Sequence, residues 1–153
     1  MPAHSSIKKA LHQRCLAIAE ERIAALQQIL KETQQAANNE TKSSAGDKHE
    51  TGRAMAQLET EKLSAQLMEM QHIRQHLIQI NPNNTGGKVV LGSLVYTNKG
   101  NFYLAAGIGK VAQENETFFA VSPASPIGKL LLAKKEKDSF SLNGIEYTIL
   151  GVV

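Results

Sequence analysis

The strongest constraint in this chain is a long stretch without helix breakers. From about Ser5 to Thr41 there is neither glycine nor proline. Leu16, Ile23, Leu30 and Ala37 recur every seven residues, with Ala19, Leu26 and Thr33 three places after the first three. That spacing predicts an amphipathic helix with a heptad stripe, capped by Ser5 or Ser6. About 37 residues at ~1.5 Å each give a rod of roughly 55 Å. A second pattern runs from about Asp47 to Ile80, where Leu63, Met70 and Leu77 repeat by seven with Leu67, Ile73 and Ile80 between them. Asn81-Pro82 ends it, because proline disfavours a helical residue before it. Neither helix is stable alone in water, so the two are expected to bury their stripes against each other as an antiparallel hairpin.

The chain changes character near Asn81. All seven aromatic residues and nine of the eleven glycines lie beyond it, and all five histidines lie before it. Asn81–Gly87 reads as a turn-rich linker. Strand-like runs follow at Val89–Tyr96, Phe102–Ala106 and Thr117–Val121, with a turn at Asn98–Asn101. Ser139–Leu142 and Ile145–Val153 flank Asn143-Gly144, a strong signal for a tight hairpin. Between them, Ser125 fits an N-cap and Pro126 a first helical position. The expected fold is α+β: a helical coiled-coil hairpin over 1–80 with its tip near 46–50, a linker over 81–87, and over 88–153 a small antiparallel sheet of four or five strands carrying one short helix.

Composition narrows the function. The net charge of +3 is only mildly basic, and in the first half ten Lys or Arg nearly cancel nine Asp or Glu. Lys8, Lys9, Arg14 and Arg22 form at most a local basic strip. No apolar run is long enough to cross a membrane and the N-terminus lacks a signal core, so a cytoplasmic protein is expected. Cys15 is the only cysteine, which excludes an internal disulfide and a cysteine-based zinc site. His72 and His76 share a helix face behind Glu69, and read as a solvated face because no third strong ligand is specified. Gly107-Ile-Gly109-Lys110 lacks the spacing of a nucleotide fingerprint and reads as a turn. The absence of Trp and the few aromatic residues argue against an apolar prolyl-isomerase pocket.

The tip holds two carboxylates, Asp47 and Glu50, three positions apart. Asp47-x-x-Glu50 has the form of a helix-capping box. It equally offers two hard oxygen ligands, and a first-turn carboxylate can do both.

Two segments resemble the Gre-type transcript-cleavage factors of bacterial RNA polymerase. One is Gly46-Asp47-Lys48-His49-Glu50, against that family's Gly-Asp-x-x-Glu. The other is Ser125–Asp138 with the closing hairpin through Glu146-Tyr147-Thr148-Ile149. The resemblance implies an N-terminal hairpin entering the polymerase secondary channel and an FKBP-like C-terminal domain docked on its rim. It assigns partner binding to Ser125, Pro126, Ile127, Gly128 and Lys129. It also implies that Asp47 and Glu50 help hold a catalytic magnesium ion at the polymerase active site, where the 3′ end of backtracked RNA is cut. No cofactor is expected to bind the chain stably on its own, and a monomer is expected. The chain departs from the family after the tip, with Thr51-Gly52-Arg53-Ala54 in place of Asn-Ala-Glu-Tyr. Lys42, Lys48 and Arg53 also make the tip less acidic. A channel-binding regulator that blocks or remodels the channel without assisting cleavage is therefore the alternative.

Overall fold

A computed structural model of the chain describes the backbone of residues 2–43 and 47–153, and the side chains of residues 4–39 and 50–153. Two long helices, α1 (Pro2–Ser43) and α2 (Asp47–Gln79), precede a sheet of six strands: β1 (Leu94–Thr97), β2 (Gly100–Leu104), β3 (Gly109–Gln113), β4 (Glu116–Val121), β5 (Ser139–Leu142) and β6 (Ile145–Val152). A short helix, α3 (Pro126–Leu131), joins β4 to β5. The class is α+β, as the composition of the two halves implies.

The chain divides into two compact units. Unit 1 is Met1–Ile18 with Ile73–Val153, and unit 2 is Ala19–His72.

In unit 2 the heptad reading holds. Ala19 and Leu63 are buried, and Ile23, Leu26, Leu30, Thr33, Ala37, Leu67 and Met70 are half-buried on one face of each helix. The start of α1 differs from expectation: the helix begins at Pro2, so Ser5 and Ser6 lie within it and cap nothing. Proline suits that first position because its fixed φ is helical and its missing N–H is not needed there.

In unit 1 the strands run in the order β3-β4-β2-β1-β6-β5. Every neighbouring pair is antiparallel except β2 and β4, which run parallel from Asn101↔Phe118 to Leu104↔Val121. The expected turn at Gly107–Lys110 is instead the entry to a sixth strand, since β3 starts at Gly109. The two-residue β3–β4 loop is Glu114-Asn115, both at positive φ. The first expected strand is also shorter than Val89–Tyr96. Gly92 turns the chain at φ +95, where a Cβ would meet Ile80 Cγ2 at 3.0 Å. Val89 stays buried by pairing with Ala133 and Lys134. Asn143 and Gly144 both take positive φ, as their hairpin requires.

One face of the sheet carries the core of Val89, Val95, Phe102, Leu104, Leu131, Phe140 and Ile149. Alternation sends Leu94, Tyr103 and Phe118 to the opposite face, and all three are fully buried there.

Candidate functional site

The tip acids stand at the start of α2. Asp47 is its first residue and Glu50 lies one turn on. Positions three apart on a helix share a face, so the backbone groups the two acids as the sequence requires. Glu50 is exposed. The side chain of Asp47, with Lys42, Lys48 and the residues 44–46 that join the helices, lies outside the described residues. Arg53 is exposed next to Glu50, on the rim of a polar groove lined also by Gln34, Asn38, Gln57 and Thr60. The helix seam here is made of small residues, Ala37, Gly52, Ala56 and Thr60, all half-buried.

The second candidate segment is shaped by a cap. Ser125 is extended, at φ −69 and ψ 158, and its Oγ accepts the Gly128 amide at 3.1 Å. The same hydroxyl donates to the Ser122 carbonyl at 2.6 Å. Gly128 sits so close beneath this turn that a Cβ would lie 2.0 Å from the Ser122 oxygen. Ile127 packs on the core. Pro126 and Lys129 are exposed. Of the five residues, Ser125, Ile127 and Gly128 therefore form the turn, while Pro126 and Lys129 face outward.

Sequence reading missed a buried polar cluster in unit 1. Lys8, 1% exposed, donates from Nζ to the backbone carbonyl of Asn84. This takes Lys8 out of the proposed basic strip. His12 is buried with its Nδ1 2.7 Å from Tyr103 Oη, and its ring also hydrogen-bonds the backbone of Leu77. A carbonyl only accepts, so the ring donates to Leu77. One imidazole thus ties α1, α2 and β2 together. Burial lowers the pKa of His12, opposed by the Leu77 bond, and the neutral ring suits both contacts. Burial likewise lowers Lys8. It raises the Tyr103 phenol, with Cys15 adding to the effect, and pushes the Cys15 thiol up to about 12 against a smaller opposing effect of Arg14. A thiol so protonated is not a nucleophile. The signal for this cluster was present: Lys8, His12, Cys15 and Ala19 continue the helical stripe at spacings of four, three and four. Two polar side chains on an otherwise apolar stripe concealed it.

His72, His76 and Glu69 are all exposed. Among the described residues, no group of three or more His, Cys, Asp or Glu is placed to hold a metal. No helix among them is long and apolar enough to cross a membrane.

No family model matches the chain. No curated protein matches it in sequence. Among solved structures it is similar to that of the transcription factor Gfh1, at 18% identity and a TM-score of 0.40, covering 91% of this chain and 93% of that one.

Proposed function

We propose that this chain is an accessory factor of RNA polymerase that enters the secondary channel and stimulates cleavage of backtracked RNA. The observation that carries the proposal is the placement of Glu50, exposed one helical turn from Asp47 at the start of α2 in a long two-helix hairpin. Carboxylates are the hard oxygen ligands that magnesium takes, and magnesium keeps open positions for water and other donors. Two carboxylates from the hairpin complete a site only with ligands from the polymerase, so the chain acts with the polymerase rather than as an enzyme by itself. Asp47 and Glu50 would help hold a magnesium ion there, and such an ion would supply charge stabilisation for phosphodiester hydrolysis. The chain's own part is to carry Asp47 and Glu50 on one helix turn. Under this reading Pro126 and Lys129 touch the polymerase, and the Ser125–Gly128 turn holds them in place.

Cleavage of RNA in backtracked complexes tests it. Asp47→Asn and Glu50→Gln should each abolish stimulation while binding to the polymerase persists. Full stimulation by both variants would remove the mechanism.

One observation favours a second reading. Arg53 is exposed close to Glu50, which weakens the negative field a metal needs. A non-cleaving factor would alter initiation or nucleotide entry, and replacing either acid would leave that effect intact.

A further inference from the structure

The segment before β1 and the segment after α3 run side by side in unit 1. Val89 donates its amide to the Lys134 carbonyl and accepts the Ala133 amide, and Lys88 pairs with Lys135 in an antiparallel bridge. Both lysines are exposed. Like charges placed directly opposite each other across such a pair oppose folding. The charge around them stays positive. Lys88 and residues 132–138 hold four lysines against Glu136 and Asp138, and Asp138 Oδ2 already accepts the Lys135 amide. Val89 is buried in the core, yet Val90 is 43%, Leu91 48% and Leu132 46% exposed. Val90 and Leu91 follow Val89, and Leu132 precedes Ala133, so the three aliphatics stand at one end of the pairing and the opposed lysines at the other. Neither feature stabilises the isolated fold. Large aliphatics exposed at one place mark an interaction surface.

We propose that Val90, Leu91 and Leu132, together with Lys88 and Lys135, form a docking surface for an acidic segment of a partner protein. The partner's apolar side chains cover the three aliphatics, and its carboxylates neutralise the opposed lysines. Charge decides the sign of the partner: a basic segment would add to the repulsion, and an acidic one removes it. The aliphatics decide its class. A nucleic-acid backbone offers phosphates and sugars, and single strands add bases that stack on aromatic rings. A bilayer interface favours aromatic side chains at the headgroup level. None of these five residues is aromatic, whereas an apolar centre with a charged rim is the usual make-up of a protein interface. The surface lies in a different unit from the tip acids, and the proposal stands whether or not the chain binds a polymerase.

Titration of the isotope-labelled full-length chain, followed by amide NMR shifts, tests it. The probes are a synthetic helical peptide with a leucine face bordered by glutamates, and a matched peptide with lysines in place of the glutamates. The glutamate peptide should shift the amides of residues 88–91 and 132–135, and the lysine peptide should not. Lys88→Glu should weaken binding of the glutamate peptide by about tenfold or more. The same change sets opposite charges across the bridge, so its urea midpoint should be unchanged or higher. A purely structural role for Lys88 would lower that midpoint instead. Leu132→Ser should weaken binding by a smaller factor, and should it lower the urea midpoint, Lys88→Glu decides alone. Oligouridylate and phosphatidylserine vesicles are the competing probes. No binding of the glutamate peptide overturns the proposal, as does equal binding of both peptides or an affinity that Lys88→Glu leaves unchanged. Tighter binding of the RNA or the vesicles at the same residues overturns it as well.

Discussion

The two ends of one helix, α1, live under different conditions. In unit 1 its residues Lys8, Leu11, His12 and Cys15 are buried. In unit 2 the same stripe continues through Ile23, Leu26 and Leu30, which are only half-buried. The apolar spacing barely changes between them. What changes is the packing surface available: within unit 1 the helix meets the sheet at Tyr103 and Tyr96, whereas within unit 2 it meets a single helix. Burial per residue follows the size of the partner surface, not the local sequence pattern. The difference also divides the labour. Unit 1 can hold polar groups such as Lys8 and His12 in its interior because fixed partners satisfy them. Unit 2 keeps Glu50 at its surface.

The largest expected effect sharpens this contrast directly. Leu11→Ala should destabilise unit 1 by roughly 2–5 kcal/mol, since it opens a cavity in a closed core. Leu30→Ala in unit 2 should cost about 1 kcal/mol or less, because its side chain gives up only part of its area to burial. All aromatic residues lie in unit 1, so tyrosine fluorescence in a urea titration reads that unit. Far-UV circular dichroism reads the helices of both. Equal losses for the two variants would break the comparison.

Next in size is the imidazole clamp. His12→Ala should cost roughly 1–3 kcal/mol, because it strands the Tyr103 hydroxyl in the interior. Its protonation gives a related, smaller effect. The unfolded histidine takes a proton near its ordinary value of about 6.5, and the folded one does so only at lower pH because burial lowers it. Between those two values the unfolded chain binds more protons. Stability is therefore full above about pH 6.5 and falls as pH drops below it. His12→Gln should flatten that fall in denaturation midpoints measured across pH. An unchanged profile would assign the acid sensitivity to another group.

The smallest effect concerns α3. Ser125→Ala removes the oxygen that receives the Gly128 amide and should cost about 1 kcal/mol, read from the same urea titration.

Much of this arrangement was legible in the chain because single residues carry strong local signals. Asn143-Gly144 specified its hairpin through positive φ, and Ser125-Pro126 specified the start of α3. The heptads of unit 2 specified a seam. The sixth strand was hidden because its tight turn is Glu114-Asn115, and glutamate seldom takes positive φ. Gly107 and Gly109 then suggested a loop where β3 begins. The break before β1 depended on Gly92 lying against Ile80, a contact between residues twelve apart. Lys8 reads as part of a basic strip, and His12 carries no signal of its own, because their partners, the Asn84 carbonyl and Tyr103, are distant in sequence. At the tip, the spacing of Asp47 and Glu50 already carried what the helix adds, namely a shared face.

The most direct measurement pairs two readouts on one variant, the Asp47→Asn/Glu50→Gln double replacement. It should bind RNA polymerase as the natural chain does and fail to stimulate cleavage in backtracked complexes. Undiminished cleavage by that variant would contradict the assignment of the tip acids.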